Sequence, residues 1–239
     1  MKNKTCLSLL CLVLMFVSCE TETKITFEEI EITSKNNSIV SINIPKASGT
    51  TEIANNINES FSNTITNILN FEKSDDDENI EELIIKFNDE FNSFKNDFPD
   101  SSQVWEAQID GDVMYQSSKV ISIAITTYIN TGGAHGQLTI TFLNFDSQTG
   151  FQISNADLFT DIETIETIEN ITQSYFEKTI NEKNISVFDA NGFELPTNIG
   201  FTEDGILMLY NVYEVASYAD GIIQFTVPYN EISSYLNYQ

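Results

Sequence analysis

From Thr26 to Ile44 the chain alternates between apolar and polar positions, with Phe27, Ile30 and Ile32 and then Val40, Ile42 and Ile44 as the apolar set and "SKNN" between them. A period near two predicts two strands and a turn, closed by Pro45. The period then lengthens. Ile53, Ile57, Phe61, Ile65 and Leu69 recur every four residues, one stripe of an amphipathic helix that starts near Thr50 or Thr51. After the acidic run "EKSDDDEN", a second stripe of Ile80, Leu83, Ile84, Phe87, Phe91, Phe94 and Phe98 predicts a helix from about Glu78 to Phe98, ended by Pro99 and Asp100. All seven side chains are expected in the core.

The middle of the chain turns to β-branched and aromatic residues. "SQVWEAQID", "GDVMYQ", "SKVISIAITTYIN" and "QLTITFLNFD" read as strands, punctuated by Asp110-Gly111 and by the "TGGAHG" stretch at residues 131–136. Neighbouring strands usually pair, so an antiparallel meander is expected. A short strand at Phe151 to Ile153 and the segment "NADLF" lead to a third helix from about Asp161 to Glu182, with Ile162, Ile165, Ile168, Ile171 or Thr172, Tyr175 and Phe176 turned inward. The last third reads as a hairpin turning at Glu203-Asp204-Gly205, a loop holding Tyr213 and Tyr218, a strand from Ile222 to Val227 and a short terminal helix after Pro228. Helices and strands come in blocks, which predicts an α+β fold of antiparallel sheets with helices packed on them in two layers, arranged as two closely associated subdomains. The expected divisions are 26–130 and 131–239.

Charge narrows the partners. The formal charge is −25, from 36 acidic and 11 basic residues, and every basic residue is lysine. Nucleic acid is bound through cationic side chains that displace counterions, and phosphate through arginine forks, so neither is expected as a partner. A cationic partner fits better, although a surplus of acid also serves plain solubility. The run "EKSDDDEN" lacks the alternating ligands and turn glycine of a calcium loop and reads as a solvated segment.

The first nineteen residues, "MKNKTCLSLLCLVLMFVSC", join two lysines to an apolar run of about twelve residues, too short for a ~30 Å hydrocarbon core. They read as a signal peptide over 1–18. Ser18-Cys19 resembles a relaxed lipobox, which implies cleavage before Cys19 and acylation of that residue, with 19–25 as a tether. Cys6 and Cys11 lie inside the signal, so the mature chain would hold no disulfide. Losing Lys2 and Lys4 would take the formal charge from −25 to −27. The membrane is then a partner only through the lipid on Cys19.

"NTGGAHG", "NFDSQTGFQISNADLF", "GFTEDGILMLYNVYEVASYADG" and "FTVPYNEISSYL" resemble, in order and spacing, an extracytoplasmic bacterial domain of unknown function. That domain also ends the lysozyme-sensing anti-sigma factor RsiV. The segment before it, roughly residues 25 to 125, is similar to the companion domain found there and in the peptidoglycan deacetylase PdaC. The resemblance implies a glycine-histidine turn at Gly132, Gly133, Ala134 and His135, a tyrosine-glutamate segment at Tyr213, Glu214, Tyr218, Ala219 and Gly221, and a closing strand at Pro228 and Tyr229. It also implies a binding role on the cell envelope, in the inner or outer membrane or at the cell surface, toward a lysozyme-like protein or a cell-wall glycan. Only five residues precede the apolar run, so a cytoplasmic signalling half is not expected. A single histidine does not furnish a deacetylase metal site.

His135 is the only histidine. It is the candidate general base if the protein is a hydrolase, yet no nucleophile elbow accompanies it. A structural role in the turn is the other reading, and a binding site built from His135, Tyr213, Glu214 and Tyr218 is a third. Catalytic residues and metal ligands are otherwise not assigned, and no cofactor is expected. Half-buried packing competes with ligand contact for every tyrosine in the loop.

Overall fold

The computed structural model describes residues 24–35, 39–70, 78–159, 164–188 and 193–238. The signal, Cys19, most of the acidic run and the expected helix start at Asp161 and Ile162 fall outside those residues.

The first half is a five-stranded sheet in chain order, β1 (Thr26–Ile32), β2 (Val40–Ser48), β3 (Glu106–Gln116), β4 (Val120–Asn130) and β5 (Gln137–Asp146). Helices α1 (Thr51–Leu69) and α2 (Ile80–Asp97) cross from β2 to β3, and that crossover makes this pair parallel while every other pair is antiparallel. The predicted stripe of α1 is the buried one, with Ile57, Phe61, Ile65 and Leu69 packed on Ile42, Ile109, Ile123 and Phe145 of the sheet. Each such fully buried side chain contributes about 1.5–3 kcal/mol by transfer from water. Helix α2 opens with a capping box, the Asn79 side chain accepting from the Glu82 amide and the Glu82 carboxylate accepting from the Asn79 amide.

Three expectations are corrected here. Pro45 does not close β2, which runs on to Ser48. The parallel pairing with β3 stops at Asn43, so on that side no ladder bond is asked of the proline. Asp110-Gly111 is not a turn but the middle of β3. A Cβ at Gly111 would stand 2.7 Å from Pro45 Cδ and 3.2 Å from Ile125 Cδ1, so this glycine allows close packing rather than reversal. Helix α2 buries Leu83, Ile84 and Phe87, but Ile80, Phe91 and Phe94 are half-buried, and Phe98, which caps the helix after Asp97 with φ −128, is 59% exposed.

After β5 the chain doubles back through Gln152, which bridges Phe145, and enters a short helix α3 (Asn155–Leu158). Helix α4 (Ile165–Lys183) then packs on a second, three-stranded antiparallel sheet of β6 (Asn198–Phe201), β7 (Gly205–Tyr210) and β8 (Ile223–Pro228). The hairpin turn at Glu203-Asp204 and the terminal helix α5 (Tyr229–Ile232) stand where the sequence places them. The fold is thus α+β, each half a sheet with helices on it. The division expected at residues 130 and 131 passes between β4 and β5, which pair over ten positions, so the first sheet continues to Asp146.

The second half seats on β4 and β5. Val120 to Ile125 are all buried, which is why β4 reads as a continuous apolar run and not as an alternation. Buried Ser122 donates to Asn144 Oδ1 at 2.7 Å and accepts from the Phe201 amide at 3.0 Å, while Asn144 Nδ2 donates to the Ile199 carbonyl at 2.7 Å. The outer edge of β5 is covered from Ile140 to Asp146. Asn211 accepts from the Ile140 amide at 2.8 Å and donates to the Ile140 carbonyl at 3.0 Å. Asn198 accepts from the Phe142 amide, and residues 151–153 bond to Asn144 and Asp146.

Candidate functional site

The turn 131–136 sits at the end of the first sheet and straddles it. On the helix side, Gly132 takes φ +87, its amide donates to Asn130 Oδ1 at 2.9 Å, and its carbonyl accepts from the Gln103 side chain. A Cβ at Gly132 would come 2.7 Å from Gln103 Oε1 and 3.2 Å from Trp105 Nε1, so the turn lies directly on the indole. Trp105 in turn packs among Phe87, Phe91 and Phe94 with ring centroids 5.7, 6.0 and 5.7 Å away. Its indole N–H is buried and has no hydrogen-bond partner among the described residues.

On the side of the second sheet, His135 lies flat on Tyr218, with ring centroids 3.8 Å apart and planes 23° from parallel. The Gly136 carbonyl stands 3.0 Å from His135 Nδ1 and accepts from the Tyr218 hydroxyl at 3.1 Å. A carbonyl oxygen only accepts, so Nδ1 carries a proton and the second ring nitrogen is left to solvent. Gly136 itself is buried against Tyr128, whose ring atoms would lie 2.3–2.5 Å from a Cβ there. Tyr213 follows the stack at 5.7 Å from Tyr218, 57% exposed, with φ +68. Such a φ is strained for a residue with a side chain and persists only where neighbours hold it.

The structure therefore brings together three of the sequence candidates, His135, Tyr213 and Tyr218. Glu214 faces the other flank of the loop, toward Asn211 Nδ2 at 3.5 Å and a cleft of about 750 Å³ lined by Phe176, Glu194, Tyr210 and Val215 among others. Burial, with Glu214 and Glu194 nearby, pushes the Tyr210 phenol above its ordinary range, and its hydroxyl donates to the Glu194 carbonyl at 2.6 Å. Tyr229 is a structural residue whose hydroxyl donates to the Thr202 carbonyl at 2.8 Å.

Chemically, His135 has no hydroxyl or carboxylate partner among the described residues, so nothing here orients it toward a nucleophile. No group of three His, Cys, Asp or Glu side chains able to hold a metal is found among those residues. The arrangement offers the exposed rings of His135 and Tyr213 on either side of half-buried Tyr218, which suits contact. Sequence reasoning missed Asn211, Gln103 and Trp105. An asparagine after an apolar run reads as an ordinary turn residue, and the ring contacts of Trp105 depend on how the strand folds back onto the helix just before it.

Residues 32–138 match the family model described as "Deacetylase PdaC", and residues 156–230 match "Protein of unknown function (DUF3298)". No curated protein matches the chain at a significant level. Among solved structures, a DUF3298-family member from Bacteroides fragilis superposes with a TM-score of 0.59 at 18% identity, covering 90% of this chain and 94% of the other. A DUF3298-family protein from Pseudomonas aeruginosa gives 0.56 at 15% identity, with 90% and 94% covered. The chain carries a PdaC deacetylase-like domain followed by a DUF3298 domain, joined in a fold shared with solved DUF3298-family proteins.

Proposed function

We propose that the protein is a binding module of the bacterial cell envelope, anchored by lipid on Cys19, which recognises a cationic extracytoplasmic protein of the lysozyme kind and performs no chemistry of its own. The observation that carries this reading is the cluster of exposed His135 and Tyr213 on half-buried Tyr218, held at a strained residue and free of any catalytic partner. The formal charge of −25 supports it, because an acidic surface steers a basic partner to the site. The word deacetylase in the matched family's name is not carried over, since the single histidine stacks on Tyr218 and bonds its own turn.

The test is capture of a basic lysozyme by the mature chain at low and at moderate salt. Binding is expected at low salt and should weaken as ionic strength rises. No capture at low salt would overturn the reading, and capture of wall glycan in its place would move the ligand to the carbohydrate class. Turnover of wall material that His135→Ala abolishes without lowering the melting temperature would replace binding by hydrolysis with His135 as general base.

A further inference from the structure

We infer that the recognition surface does not stop at the DUF3298 half but continues across the glycine turn onto the PdaC-like half, where Phe98, Val104 and Trp105 form a second contact for the same cationic protein. The inference rests on the reading above. Phe98 and Val104 are 59% and 64% exposed, among the most exposed large apolar side chains of the described residues. Phe98 lies tilted against Phe94 with centroids 5.3 Å apart, and Phe94 against Trp105 at 5.7 Å, so the exposed ring belongs to a packed aromatic cluster. A fixed ring loses little entropy when it is covered, which is the condition for a strong interface contact.

Continuity comes from the turn. Gly132 lies on Trp105 and His135 lies on Tyr218, so six residues of one turn touch both clusters. Charge favours a cationic occupant on both flanks. Asp97 and Asp100 stand exposed beside Phe98, Asp220 lies two residues beyond Tyr218, and Lys95 is engaged with the Ser101 carbonyl. Lysine and arginine side chains are attracted both by the carboxylates and by the ring faces.

The placement suits an approaching partner. Strand β4 carries the chain about 35 Å from the loop at Ser117 to Lys119 to this turn, at the usual rise per strand residue. Lys24 contributes to the cleft beside Ser117 and Ser118, at the far end. Cys19 precedes Lys24 by five residues, a reach of at most about 18 Å. An anchor there leaves the aromatic end pointing away from the lipid.

The experiment measures affinity of the mature chain for a basic lysozyme by calorimetry. The variants are Phe98→Ser/Val104→Ser, Tyr213→Ala, and Phe151→Ser as a control, Phe151 being 65% exposed near the opposite end. The first two should each bind about tenfold more weakly, with unchanged circular dichroism and melting temperature, while the control binds as the parent does. A Phe98→Ser/Val104→Ser variant that binds like the parent, with Tyr213→Ala weakened, overturns the extension and leaves the proposed function standing. A parent that does not bind at low salt overturns both. Equal weakening by Phe151→Ser would also overturn the assignment of the surface.

Discussion

His135 and Tyr218 share one acceptor, the Gly136 carbonyl, and lie face to face, so each fixes the other. Truncation by His135→Ala should lower stability by about 0.5–1.5 kcal/mol, the range of an aromatic pair, read as the shift of a urea midpoint. Gly132→Ala is expected to cost about 1–3 kcal/mol, chiefly from φ +87, with Gly132→Asn milder because asparagine tolerates that region better. Tyr210 carries a pH signature. Burial first, then Glu214 and Glu194, hold its phenol above the ordinary value of 10.0, so it stays protonated in the fold where the unfolded chain ionises. Tyr229 behaves alike through burial and through Tyr115 and Glu203. Their stabilisation is fully present below pH 10 and falls as the pH rises beyond it toward the raised folded values. Denaturation midpoints taken across pH 9 to 11.5 should therefore decline, and Tyr210→Phe should make the decline shallower. The turn itself was legible, since a lone histidine among glycines stands out in any sequence. Its partner was not: neither period nor spacing selects Tyr218 over Tyr213 or Glu214.

Between elements, the Ser122–Asn144 pair fastens the second sheet to the first through β6. Asn144→Leu would strand the Ser122 hydroxyl proton and the Ile199 carbonyl in a dry contact, at a cost of about 2–5 kcal/mol, measurable as a lowered denaturant midpoint with an unchanged slope. Element type was read well wherever a period ran for several turns, as in the stripe from Ile53 to Leu69. It failed where a residue's usual meaning was overridden by tertiary packing. Gly111 looks like a turn until Pro45 and Ile125 are seen pressing on it. Phe98 keeps helical spacing, yet the helix ends at Asp97 and the chain leaves it at Phe98 with the ring outside. A stripe says which face of a helix is apolar, not where the helix stops.

For the whole molecule, 36 acidic residues against 11 basic ones give a self-repelling shell. Added salt should therefore raise the melting temperature while it weakens capture of a basic partner, two opposite responses from one cause. A melting temperature that falls between about 0.05 and 0.3 M sodium chloride would contradict the first. The two edges of the first sheet are guarded differently. Strand β1 presents Glu28, Glu29 and Glu31, whereas β5 is plugged by Asn198 and Asn211, side chains lent by the other half of the chain. A proteolytic fragment ending near Ser154 would lose those plugs and bare the Ile140 amide and carbonyl and the Phe142 amide on an apolar strand. Such a fragment should self-associate edge to edge, seen as rising light scattering at micromolar concentration, so the DUF3298 half also acts as a built-in guard against aggregation of the sheet that precedes it.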